Sequence, residues 1–203
     1  SGDFLRLLVK NTITTAKQVF TDTKIADNPV SVVSLAFRKL KNLYVPEDAR
    51  ILVIGAGETN SNLCKYLFKH GYKNFAVFNR TVQKAEELAA AYNSEGGKAT
   101  AHSLTELESY RGGFDVLISC TASAEPIVTD KIYSQLLQGD SSKKVVIDLA
   151  IPADVHSEVL NKYALDYIGM NELRDEAERN LSIRQSEMFS DRKSTRLNSS
   201  HRT

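Results

Sequence analysis

The chain has 203 residues, 42% of them hydrophobic and 25% charged, with a formal net charge of +1. These are the proportions of one good-sized globular domain with appendages, and no apolar run approaches the ~18–20 residues that would span a bilayer. No secretory signal opens the sequence and two cysteines, Cys64 and Cys120, cannot make a disulfide framework, so a cytoplasmic protein with no membrane partner is expected.

The near-neutral total hides a division. Residues 1–44 carry seven Lys/Arg against three Asp, residues 191–203 carry four against one, and the stretch between is net acidic. Basic ends permit an anionic partner such as RNA, although a solvated surface gives the same counts. The histidines (His70, His102, His156, His201) lack ligand spacing, so no metal site is expected.

In chain order, residues 4–20 read as a helix with Leu5, Leu8, Ala16 and Phe20 near one face, broken by the Asp-Asn-Pro at 27–29. Ser31 is placed to cap a second helix with the stripe Val32, Ala36, Leu40 and Leu43, ended before Pro46. These first 45 residues form a helical lead-in to a domain spanning 46–170. There, apolar runs alternate with helical patterns. Strand Ile51–Ile54 precedes a helix at 58–69 closed by His70-Gly71, and strand Phe75–Phe78 precedes helix 82–92 with Thr81 as N-cap. A weaker strand follows at Lys98–His102, then strand Val116–Cys120, helix 129–138, strand Val145–Leu149, helix 154–163 and strand Asp166–Ile168. Near-continuous apolar strands alternating with helices predict an α/β, doubly wound (Rossmann) parallel sheet, of strand order 3-2-1-4-5-6.

After Gly169 the pattern narrows. Leu173, Ala177, Leu181, Arg184 and Met188 fall at spacings of 4, 4, 3 and 4, the seam of one long helix over 171–189 that meets another helix. The expectation is that it projects from the domain, exposing Leu173, Ala177, Leu181 and Met188 unless a partner covers them. Residues 190–203 read as a polar tail, of the kind an expression vector adds.

The chemistry sits at the strand ends. "ILVIGAGETN", Ile51–Asn60, is a dinucleotide fingerprint G-x-G-x-x-G with Asn60 at the third glycine. Gly55 allows the tight turn and Gly57 lets a pyrophosphate approach the backbone, so Gly55, Ala56, Gly57, Glu58, Thr59 and Asn60 are candidate cofactor residues. Asn60 implies either a wider helix–strand gap or a side chain that joins the phosphate contacts, and Glu58 suits a position turned aside to the helix N-terminus. The second strand ends Phe78-Asn79-Arg80-Thr81, with Asn79 24 residues after Gly55. An NAD enzyme usually places an acid there for the ribose hydroxyl. A neutral Asn79 followed by Arg80 accommodates a 2′-phosphate, with Thr81 and Lys84 adding a hydroxyl and a charge, so the predicted cofactor is NADP.

"SCTASAEP", Ser119–Pro126, puts small residues at the end of the fourth strand, where Thr121, Ala122 and Ser123 can line the nicotinamide ribose. Cys120 invites a nucleophile reading, yet no histidine is placed to serve it, and a buried strand cysteine is the better reading. Cys64 reads as core. "DLAIPADV", Asp148–Val155, either walls the nicotinamide pocket or is an ordinary turn in which Asp154 supports a helix start.

Together "AKQVFTDTKI" (16–25), "VSVVSLAF" (30–37), "LVIGAGET" (52–59), "NRT" (79–81), "SCTAS" (119–123) and "DLAIPADV" (148–155) resemble the glutamyl-tRNA reductases. The resemblance covers most of residues 10–170, and the family's glutamate after the second glycine matches Glu58. It implies an NADPH-dependent oxidoreductase of tetrapyrrole (porphyrin) biosynthesis. In that family a catalytic domain takes the glutamyl group from tRNA as a cysteine thioester, and an NADPH domain delivers hydride to give glutamate-1-semialdehyde. A spinal helix then leads to a dimerisation domain. This chain resembles the middle domain, and no catalytic residue carries over. Ala153 stands where the family often has arginine. Two other readings remain at this stage: a shikimate-dehydrogenase-like NADP enzyme, which shares the Asn-Arg-Thr turn, and a non-catalytic NADP-binding regulatory module.

Overall fold

A computed structural model describes residues 29–180. In that span helix α1 (Pro29–Asn42) leads to six strands: β1 (Arg50–Ile54), β2 (Asn74–Asn79), β3 (Lys98–Ser103), β4 (Val116–Ser119), β5 (Lys144–Asp148) and β6 (Leu165–Gly169). Helices α2 (Glu58–Lys69), α3 (Val82–Ser94), α4 (Asp130–Leu137) and α5 (Ser157–Lys162) alternate with them. All pairings are parallel and the order is β3-β2-β1-β4-β5-β6. This is the expected doubly wound sheet.

Strand alternation sorts the core into two layers. Ile51, Val53, Phe75, Val77, Val116, Ile118, Val145 and Ile147 meet α1, α2 and α3 on one face. Leu52, Ile54, Ala76, Phe78, Leu117 and Val146 meet Phe114, Tyr133, Leu136 and Val159 on the other. With both faces covered, the strands must be apolar along their whole length, which is why they do not alternate in sequence. Each such side chain contributes about 1.5–3 kcal/mol on burial.

Several boundaries differ from the sequence reading. Ser31 lies inside helix α1, within the described span Pro29–Asn42, and so is not its N-cap. Val32, Ala36 and Leu40 are buried as expected, but Leu43 is 37% exposed. The chain leaves the helix there, and Tyr44 takes φ 54. An unforeseen 3-10 segment, Leu104–Ser109, follows β3, opened by a capping box between Ser103 and Glu106. Strand β4 stops at Ser119, one residue before Cys120. Helix α5 begins at Ser157, capped by His156, because Asp154 is turned elsewhere.

The largest difference concerns the chain after β6. Residues 170–180 are helical, and this described part of the expected helix does not project. Leu173 is 0% and Ala177 5% exposed, both inside the core layer that holds α1. Lys39 of α1 reaches Glu172 at 2.7 Å and Glu176 at 3.2 Å, and Arg38 pairs with Glu176. The seam is therefore covered within the chain, by the helix before β1. The expected helix 4–20, the seam positions Leu181, Arg184 and Met188, and the tail 190–203 lie outside the described residues.

Because Leu173 fills the core, Leu173→Ala should cost about 2–4 kcal/mol in urea unfolding. A loss below about 0.5 kcal/mol, the range of surface substitutions, would show that this helix stands away from the sheet.

Candidate functional site

The strand order reverses between β1 and β4, and ligands of such sheets bind outside the carboxyl ends at that crevice. There the chain turns sharply at Gly55, with φ 96. A Cβ at Gly55 would lie 2.5 Å from the Cys120 carbonyl oxygen and 3.2 Å from the Thr121 methyl. Only glycine satisfies both the left-handed backbone and this approach. Gly57, in contrast, is exposed, and a Cβ there would meet nothing within 4 Å. It serves as N-cap of α2, whose end no side chain caps. The N–H groups of Glu58, Thr59 and Asn60 therefore have no intrahelical acceptor.

Asn60 resolves differently from the phosphate contact considered for it. Its side chain is 0% exposed and faces inward. The amide Nδ2 donates to the Ile54 and Gly55 carbonyls, both at 2.8 Å. A third glycine would let helix and strand approach. Here an amide fills the gap and ties the first turn of α2 to the end of β1.

Asn79 ends β2 and bridges two loops. Its Oδ1 accepts from the Ala56 N–H at 3.0 Å and its Nδ2 donates to the Thr81 carbonyl at 2.8 Å. Arg80 and Lys84 are exposed, and neither forms an ion pair with another described residue. Thr81 is the N-cap of α3 by position but makes no cap hydrogen bond with its side chain.

These groups enclose a cleft of about 330 Å³. Its lining includes Gly55, Ala56, Gly57, Asn79, Arg80, Thr81, Lys84, Thr121 and Ala122, nine of the residues singled out from sequence. Glu58, Thr59, Asn60 and Ser123 are outside the lining. Glu58 is exposed at the helix start, and Ser123 Oγ is held by the Glu125 carbonyl at 2.6 Å. Leu104, Cys120 and Ile127 complete the walls, and sequence reading did not name them as site residues. Leu104 had a signal, since Ser103-x-x-Glu106 is a capping box that marks where β3 turns. The thiol of Cys120 donates to the Leu149 carbonyl at 3.4 Å. Cys64 is fully buried, and burial pushes its thiol up to about 12. Among the described residues no group of three His, Cys, Asp or Glu could hold a metal ion.

The segment Asp148–Val155 divides its labour. Ala150, Ile151, Pro152 and Ala153 wall a second cavity of about 300 Å³ with Tyr167, Gly169 and Met170. Asp148 and Asp154 turn inward, 1% and 0% exposed. Burial raises the Asp148 carboxyl to about 6, against the pull of backbone N–H donors from Val155, Ala150 and Asp154. Asp154 accepts from Ser119 Oγ at 2.7 Å, the Thr121 N–H at 2.8 Å and Thr121 Oγ1 at 2.7 Å. It braces β4 and leaves the helix start to His156.

The sequence profile described as shikimate / quinate 5-dehydrogenase matches residues 34–176. The chain belongs to that family. It is also 36% identical over 160 residues to the glutamyl-tRNA reductase of Stenotrophomonas maltophilia (strain K279a), covering 78% of this chain and 36% of that protein. Glutamyl-tRNA reductase from Methanopyrus kandleri superposes with a TM-score of 0.63 at 31% identity, over 86% of this chain and 43% of that one. The nucleotide-binding domain of the Thermoplasma volcanium enzyme, at 21% identity and a TM-score of 0.53, shares the fold, with 96% of that domain covered. The glutamyl-tRNA reductase resemblance read from the motifs thus extends through sequence and fold. The chain spans less than half the length of the curated relatives it matches.

The two loop glycines should respond in opposite ways. Gly55→Ala should lower stability by more than about 2 kcal/mol, from left-handed strain and collision with a backbone carbonyl. Gly57→Ala should leave the melting temperature nearly unchanged yet weaken dinucleotide binding, since its methyl would occupy the open face of the loop. Equal melting behaviour in the two variants would contradict the placement of this turn.

Proposed function

We propose that this chain is the NADPH-binding domain of a glutamyl-tRNA reductase. The observation that carries the cofactor choice is the pair of uncompensated cations, Arg80 and Lys84, on the same cleft as the open Gly57 face. An unpaired guanidinium beside a neutral Asn79 suits a 2′-phosphate, where an acid would repel it. The remainder of the cleft fits a dinucleotide. The N–H groups that open α2 without a side-chain cap suit a pyrophosphate. The apolar side chains of Leu104 and Ile127 offer flat contacts for rings.

NADPH supplies a hydride when bound. The residues of this chain bind and orient: Arg80 and Lys84 hold the phosphate end, the Gly55–Gly57 turn takes the pyrophosphate, and Thr121 with Ala122 shapes the wall beyond. Hydride transfer needs the acyl carbon held against the nicotinamide, and that positioning supplies much of the rate. In the proposed whole enzyme, glutamyl-tRNA is the substrate and glutamate-1-semialdehyde the product. In that reading two copies pair through the C-terminal helix together with a further domain. A shikimate-type reaction is not favoured, because the curated relatives at 32–36% identity are glutamyl-tRNA reductases.

The thiol that lines the cleft, Cys120, donates to the Leu149 carbonyl, and the 203-residue chain should bind NADPH without oxidising it when given glutamyl-tRNA. Arg80→Ala should weaken NADPH binding by roughly tenfold to a hundredfold, the equivalent of a charge-assisted pair worth about 1.5–3 kcal/mol, and leave NADH binding nearly unchanged. Calorimetric titration with both cofactors decides this. Equal losses for NADPH and NADH would remove the 2′-phosphate role of Arg80.

A further inference from the structure

The geometry points to Asp154 as a positioning residue that sets the nicotinamide-side wall of the cleft without touching the ligand. The inference rests on the cofactor reading above and adds a residue to it. Asp154 is completely buried and does not line the cleft. Its carboxylate nevertheless holds three donors from one short segment. Oδ2 takes Ser119 Oγ at 2.7 Å and the Thr121 N–H at 2.8 Å, and Oδ1 takes Thr121 Oγ1 at 2.7 Å.

The same residue grips a second segment through its backbone. The Asp154 carbonyl accepts from the Ile127 N–H at 2.8 Å and the Val128 N–H at 2.9 Å. Thr121 and Ile127 both line the cleft, and both are therefore fixed from Asp154. The effect extends further. Thr121 Oγ1, oriented by Asp154, accepts from the Ser123 N–H at 3.1 Å. The Thr121 methyl lies 3.2 Å from the point where a Gly55 Cβ would be, so its rotamer sets the clearance over the glycine turn.

A buried carboxylate is costly unless its oxygens are met by donors. Three converging donors meet that cost only if Ser119 and Thr121 keep their present rotamers. The charge thus selects one wall conformation before any ligand arrives. The phosphate end, built from Asn79, Arg80 and Lys84 on β2 and α3, has no bond to Asp154. This separation gives the role a signature that a merely stabilising residue would lack.

The test titrates the full chain and its Asp154→Asn variant with NADPH and with adenosine 2′,5′-bisphosphate, which carries the adenosine half alone. The asparagine keeps the volume but turns an NH₂ towards donors, releasing Thr121. NADPH affinity should fall about tenfold or more, as expected for losing a buried charge-assisted bond, while the bisphosphate changes by less than about twofold. Unchanged NADPH binding, or equal losses for both ligands, would overturn the role. If Asp154→Asn fails to fold, Ser119→Ala decides, because Ser119 is buried outside the cleft and donates to Asp154. A smaller, NADPH-only loss of about threefold supports the role, and no loss overturns it. Arg80→Ala is the control: it should weaken both ligands together. A wild-type chain that binds neither ligand would instead refute the cofactor reading itself, and the inference with it.

Discussion

At Gly55 the backbone of β1 passes so close to the Cys120 carbonyl that no side chain fits between them. That approach governs the rest of the site. It brings the ends of β1 and β4 together at the reversal of strand order, with the Cys120 N–H bonded to the Ile54 carbonyl at 3.1 Å. It turns the chain away at once, so that α2 starts directly after the cleft-lining Gly57 with no side chain capping its end. A wider turn would leave the helix end out of line with the cleft, and the cations of the β2 turn would face no phosphate path.

Around this turn, buried and half-buried polar side chains do what loops alone could not. Asn60 pins α2 to the strand end, Asn79 joins the glycine turn to the Asn-Arg-Thr turn, and Asp154 ties the β4 end to residues 127–128. Asn60 and Asp154 satisfy backbone or hydroxyl groups that would otherwise be buried without partners, a loss of about 1–3 kcal/mol apiece. Arg80 and Lys84, which line the same cleft, are left exposed, with no ion pair to another described residue.

Periodicity was enough to read the sheet, its order and the helices over it, because apolar strands flanked by helical stripes admit few arrangements. That Gly55, Gly57, Arg80 and Lys84 line one cleft was legible for a similar reason, since backbone freedom and charge can be read from each residue by itself. The residues that escaped act through a distant partner. Asn60, at the spacing of a third glycine, allowed either a wider helix–strand gap or a phosphate contact, and only the fold shows its amide filling the gap and turned to Ile54. Asp154 resembled a helix cap because it precedes a helix, and its donors lie 33 to 35 residues away in sequence. The seam at Leu173 and Ala177 was read correctly as helix-on-helix packing, but a pattern on one helix cannot say that α1 is the helix it meets.

The central claim is that the glycine turn, the Asn-Arg-Thr turn and the end of β4 form one binding surface for NADPH. Hydrogen–deuterium exchange of the full chain, with and without NADPH, tests it most directly. Exchange should slow at residues 56–60, 80–84 and 120–123, with little change at residues 150–153 and 167–172 around the second cavity. Protection confined to that second cavity, or absent from the Asn-Arg-Thr turn, would contradict the account.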